Sequence, residues 1–164
     1  MGGRIATSVL AAAVLLAGCT AKTRAAEVGQ PAPRLEADAI VDGERVDLAS
    51  FRNRATLVNF WGSWCDPCRK ELPRLVEAER AGTAVVGVAV KDSRRRAREM
   101  LADAGATWPS ADDPDGKLAR RWGLSSGFPV TFAVDGTGVI RGRHIGEMSA
   151  ADVAKLAAAA AGRP

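Results

Sequence analysis

Two cysteines three residues apart, set where an apolar run gives way to a helical pattern, constrain this 164-residue chain more than any other feature. They lie in WGSWCDPCRKELP, Trp61 to Pro73. Upstream, Ala55 to Trp61 is a short run rich in β-branched and aromatic residues, as a buried strand requires. Gly62 and Ser63 break it, and from Cys65 onward Leu72, Leu75, Val76 and Ala78 recur at helical spacing among charges. Cys65 is therefore expected at a helix N-terminus, where unpaired backbone N–H groups and the macrodipole favour an anion. Only a thiolate attacks a disulfide. The spacing thus predicts Cys65 as a nucleophile and Cys68, on the same helix face, as the thiol that resolves its mixed disulfide. Pro67 has no N–H to satisfy and suits the first turn. Asp66 suits the helix start too, but its charge beside the sulfur opposes thiolate formation and weighs against a strongly oxidising poise.

The N-terminus reads as an export signal. Arg4 precedes the apolar stretch Ile5 to Leu16, which is too short to span a bilayer, and Leu16-Ala17-Gly18-Cys19 resembles a bacterial lipobox. That resemblance implies removal of residues 1–18 and lipidation of Cys19, with residues 19–33 as a tether carrying Gly29, Pro31 and Pro33. An ordinary cleaved signal with a chance cysteine is the alternative. With Cys19 consumed, Cys65 and Cys68 remain an isolated pair in an exported protein. A structural zinc site needs four ligands, and these two thiols and His144 do not supply them, so no metal site is expected. A purely structural bridge of this span constrains the unfolded chain little.

Residues 34–164 read as one domain of about 130 residues without repeats. Leu35 to Val41, a turn at Asp42-Gly43 and Arg45 to Leu48 suggest an antiparallel hairpin. Ala84 to Val90 is apolar throughout, as in a central strand covered on both faces. A helix follows, capped by Ser93, ended by Gly105 and buried through Met100, Leu101 and Ala104. Its Arg94, Arg95, Arg96 and Arg98 read as a solvated face, with docking on an anionic surface as the alternative. Asp112 to Gly116 reads as a turn, without the spacing of a calcium loop, leading into a short helix from Lys117 to Trp122. Val130 to Val134 and Val139 to Ile145 read as strands, and Ser149 to Asp152 as a capping box opening a last helix to about Ala161. The order implies an α/β fold: a central mixed sheet with helices on both faces and an N-terminal β-hairpin extension. A net charge of +4 is too modest to argue for nucleic acid, and export argues against it.

Taken together, Trp61 to Pro73, the Phe128-Pro129 dipeptide before a strand, the Asp113 to Lys117 turn and the terminal hairpin resemble the TlpA/ResA/DsbE branch of the thioredoxin superfamily, over most of Ala32 to Ala161. The resemblance implies a thioredoxin fold, a kink at Pro73 and a cis-proline at Pro129 beside the disulfide, where backbone pairs with an extended substrate. It makes Glu71 an active-site glutamate that assists proton transfer; read alone, Glu71 is a surface carboxylate among Arg69 and Lys70. Trp64 matches the family's active-site tryptophan and, with Phe128, faces substrate. Asn59 stands where cytoplasmic thioredoxins carry a buried aspartate, which moves proton handling onto Glu71 or water. Trp61, Trp108 and Trp122 read as packing.

The expectation is a lipid-anchored, extracytoplasmic thiol-disulfide oxidoreductase whose cofactor is its own dithiol. Its expected partners are the thiols and disulfides of exported proteins and a membrane thiol electron donor or acceptor, and it is expected to be a monomer. Reduction, of the kind that serves cytochrome c maturation, is favoured over disulfide introduction. A copper module using Cys65, Cys68 and His144 or Met148 is the alternative of another class.

Overall fold

In a computed structural model of the chain, residues 25–41 and 43–162 are described. The export signal, Cys19, the first part of the tether and Asp42 of the hairpin turn lie outside them. Among the described residues no helix is long and apolar enough to cross a membrane.

Five strands form the central sheet in the order β5-β4-β3-β6-β7. They are β3 (Thr56–Trp61), β4 (Ala84–Val90), β5 (Ser110–Asp113), β6 (Val130–Val134) and β7 (Ile140–Ile145). β3, β4 and β5 run parallel, whereas β6 and β7 pair antiparallel. The two central strands are buried at every residue, which is why their sequences do not alternate. Side chains still sort by the two-residue period of a strand. Leu57, Trp61, Val85 and Ala89 join one core with α1 (Asp66–Arg80), α2 (Arg94–Ala104) and α4 (Ala150–Ala160). Val58, Phe60, Val86 and Val88 join the other with α3 (Lys117–Arg121) and the N-terminal segment. Trp122 packs there at 5.2 Å from Phe60 and 5.0 Å from Phe132, ring centre to centre. Helices cover both faces, as expected.

The hairpin exists with shorter strands than expected, β1 (Glu36–Asp38) and β2 (Arg45–Asp47). Leu48 to Phe51 turns instead into a 3₁₀ helix capped by Asp47. The hairpin closes the sheet edge: the Ile40 N–H donates to the Ser110 carbonyl at 2.8 Å.

One expectation needs correction. Asp112 and Asp113 belong to a strand, β5, and not to a turn. The segment SADD has no apolar alternation to announce it. It is held by pairing with β4, and Asp113 turns inward to accept hydrogen bonds from Leu118 and Ala119 N–H at 3.0 and 2.9 Å, capping α3. Gly87 on β4 also answers to β5, because a Cβ there would collide with Ser110 Oγ and the Trp61 indole. The other helix ends follow their sequence signals. Ser93 accepts from Arg96 N–H, Gly105 leaves α2 at φ 70°, and Ser149 and Asp152 cap α4 reciprocally.

Candidate active site

The parallel strand β3 delivers the cysteine loop to the C-terminal edge of the sheet, where α/β folds present their chemistry. Four hydrogen bonds hold the loop. Ser63 donates through N–H and Oγ to the Asp92 carboxylate, at 2.5 and 2.7 Å. Trp64 Nε1 donates to the Val90 carbonyl at 3.0 Å, and Arg69 Nη2 to the Ser63 carbonyl at 3.2 Å. Asp92 was not among the residues singled out from sequence. Its position two residues past the end of an apolar strand parallel to β3 is the signal that could have found it.

Cys65 occupies the N-cap of α1, its Sγ accepting from the Cys68 N–H at 3.2 Å, with Asp66 and Pro67 in the first turn. The two cysteines form a disulfide, their Cα atoms 5.2 Å apart. Cys65 keeps 5% of its surface exposed and Cys68 none. An incoming thiolate therefore meets Cys65 first. Pro73 lies inside α1.

One turn beyond Cys68, Glu71 points into the protein and is fully buried, so it is not a surface carboxylate. Its Oε1 accepts from Asn59 Nδ2 at 2.8 Å and its Oε2 from the Met148 N–H at 3.2 Å, while Asn59 also donates to Thr131 Oγ1 at 2.9 Å. Burial pushes the Glu71 carboxyl up to about 7. The bonds from Asn59 and Met148 oppose that rise, Glu147 adds to it and Arg74 counters it. Asn59 thus bears on Glu71 through β3; Thr131 and the Met148 N–H, which complete the cluster, come from distant sequence that carries no local mark of the role.

The loop before β6 packs against the cysteine loop through Phe128. Phe128 packs against both cores and meets half-exposed Trp64 edge to face, centroids 5.8 Å apart. The Phe128-Pro129 bond is cis, and the Pro129 carbonyl accepts from Gly146 N–H at 2.8 Å. His144 lies on β7 opposite Thr131, and Met148 is buried in the core. Among the described residues no group of three or more His, Cys, Asp or Glu side chains is placed to hold a metal ion.

The redoxin family model matches residues 27–160. HelX, a thiol:disulfide interchange protein of Rhodobacter capsulatus, is 42% identical over 94 residues, 57% of this chain and 53% of HelX. DsbE of Escherichia coli K12 is 33% identical over 125 residues, 74% of this chain and 67% of DsbE. The chain spans about half the length of HelX and of the DsbE homolog of Paracoccus denitrificans, 53% and 51%. Among solved structures, a putative DsbE from Chlorobium tepidum superposes with a TM-score of 0.73 at 26% identity, covering 83% of this chain and 99% of that one. A secreted thiol-disulfide isomerase from Corynebacterium glutamicum gives 0.68 at 30% identity, covering 76% and 81%. The chain belongs to the redoxin family, among its DsbE-type thiol:disulfide interchange proteins of thioredoxin-like fold.

Proposed function

We propose that this chain is an exported, membrane-tethered thiol-disulfide oxidoreductase that works mainly as a reductant of protein disulfides, of the kind cytochrome c maturation requires. The observation that carries the reading is the Cys65–Cys68 bridge at the N-terminus of α1, with the more accessible sulfur in the capping position. In the reducing direction the Cys65 thiolate attacks one sulfur of a client disulfide, and the other client sulfur leaves as a thiolate. The Cys68 thiolate then attacks Cys65 Sγ, expels the first client sulfur and closes the bridge. Two electrons pass to the client, and the two protons its thiols take up replace those the dithiol has lost.

Glu71 holds or releases a proton one turn from Cys68, with its carboxyl tuned near neutrality, where a general acid or base is most effective. Trp64 and Phe128 form the face that receives the client, with buried Pro129 shaping the loop behind it, and the exposed residues Ser125, Ser126 and Gly127 offer backbone to an extended segment. Asp66, Pro67 and Asn59 support the site, the first two by shaping the first turn of α1 and the third by holding Glu71. A membrane thiol donor would regenerate the dithiol.

Replacing the resolving cysteine, Cys68→Ser, tests the chemistry. Mixed with an oxidised peptide carrying a Cys-x-x-Cys-His segment, this variant is expected to accumulate a covalent adduct at Cys65, seen as an added peptide mass that dithiothreitol removes. Absence of the adduct would contradict the role given to Cys65. Export is supported by the apolar N-terminal stretch and by a relative described as secreted. The tether rests on Leu16 to Cys19. Intact mass of the membrane-extracted protein should show Cys19 as a lipid-bearing N-terminus, and an unmodified Cys19 would remove the anchor from the account.

A further inference from the structure

Behind the Trp64–Phe128 pair a cavity of about 190 Å³ lies between the end of β4, the turn before α3 and the loop before β6. Val90, Ala119, Leu124 and Phe128 make its apolar lining, and two exposed cations, Lys91 and Arg120, complete it. The cations converge: a Cβ placed on Gly116 would lie 3.1 Å from Lys91 Cε and 3.4 Å from Arg120 Nη1. Neither has an ion-pair partner among the described residues. Arg120 Nη1 donates to the Asp115 carbonyl at 2.8 Å, while the Asp115 carboxylate, which also attracts Arg120 electrostatically, pairs directly with Lys117 Nζ at 2.9 Å. The nearby carboxylate of Asp113 is occupied by the N–H groups of α3. Two like charges brought together over one glycine, with the nearest carboxylate shared between Arg120 and Lys117, repel each other, and an anion between them relieves that repulsion.

We propose that this cavity is a client subsite for a carboxylate-bearing side chain near the reacting cysteine, its methylene stem against Val90, Leu124 and Phe128 and its charge between Lys91 and Arg120. The reading rests on thiol exchange at Cys65. Position argues for a residue of the client and against a free anion. Val90 and Phe128 belong both to this cavity and to the surroundings of Trp64, the residue before Cys65, so the cavity adjoins the segment that carries the reacting cysteine. A small inorganic anion would also leave the apolar lining unmet.

The test uses the full chain with its disulfide formed and short single-cysteine peptides carrying Glu, Gln or Lys one to three residues to either side of the cysteine. Each peptide thiolate attacks Cys65 Sγ, forming a mixed disulfide while Cys68 leaves as a thiolate, and the rate is followed by mass spectrometry after acid quenching. Rates in each protein are expressed relative to its reaction with neutral 2-mercaptoethanol. The same peptides are used throughout, because a neighbouring Glu itself raises the peptide thiol pKa.

At the best position the Glu peptide should react about fivefold faster than the Gln peptide, with Lys slowest, as expected for two exposed ion pairs. The gap should narrow as salt rises, and in the double variant K91E/R120E the order should reverse. R120E alone gives the same readout at smaller amplitude should the double variant fail to fold. Equal rates at every position, or an order that survives the charge reversal, would overturn the subsite. So would millimolar inorganic phosphate slowing all peptides alike with no order among them, which would mark a general anion site. A disulfide that resists 2-mercaptoethanol and dithiothreitol alike would instead bring down the thiol-exchange reading, and the subsite with it.

Discussion

Glu71 is a fully buried carboxyl beside the disulfide-bearing helix turn. Burial raises its carboxyl to about 7 from an ordinary 4.5, and the folded protein therefore holds a proton through a pH range in which the unfolded chain has released it. Stability is then greatest below the unfolded value and falls as pH rises through the folded one, by about 3 kcal/mol in all. Glu71→Gln removes the titration. Denaturant unfolding should show the variant gaining on the native protein by up to about 3 kcal/mol between pH 4.5 and pH 8. The same substitution should erase a break near pH 7 in the rate of thiol exchange. Parallel stability curves, or an unchanged rate profile, would contradict the role given to this carboxyl. Glu71 could be named from the sequence only through its spacing from Cys68 within a familiar motif. Its burial comes from Asn59 on β3 and Met148 before α4, contacts across 12 and 77 residues that no local pattern records.

At the scale of elements, long periodic segments announced themselves and short polar ones did not. β3 and β4 are apolar runs, and α1, α2 and α4 carry apolar stripes with recognisable caps, so both strands, α2 and α4 were legible within a residue or two at their ends, and α1 at its start. β5 was hidden, because its four residues are two acids, a serine and an alanine. Burial of Asp113 is tolerated there because its carboxylate satisfies two N–H groups that the start of α3 would otherwise leave unpaired. Asp113→Ala should therefore cost about 2 to 3 kcal/mol in denaturant unfolding. Asp115→Ala, which removes an exposed carboxylate beside Lys117 and Arg120, should shift the unfolding midpoint far less than Asp113→Ala. Equal effects would mean that Asp113 caps nothing of consequence. The same distinction explains Asp92 and the Lys91–Arg120 pair. Each sits at the end of an element that was correctly foreseen, but its partners come from other elements, and side-chain convergence follows from topology alone.

Across the whole molecule, the mixed sheet brings together three stretches distant in sequence: the end of β3 with the first turn of α1 that follows it, the end of β4, and the loop before β6. The disulfide sits where they meet, with the apolar Trp64–Phe128 face on one side and the Glu71 cluster behind it. That arrangement serves thiol exchange in either direction, so the direction is decided by the relative stability of the dithiol and the disulfide. Under the proposed reading the negative charge of Asp66, in the first turn of α1 next to Cys65, weighs against a strongly oxidising couple. The measurement that tests the central claim most directly is the reduction potential of the Cys65–Cys68 couple. Detergent-solubilised full-length protein would be equilibrated with glutathione and lower-potential dithiol buffers, and the reduced fraction read by thiol alkylation. The account predicts a value near about −270 mV, in the range of reducing thioredoxins. A value at or above about −180 mV, where disulfide isomerases and oxidases lie, would contradict it and make this protein one that introduces disulfides.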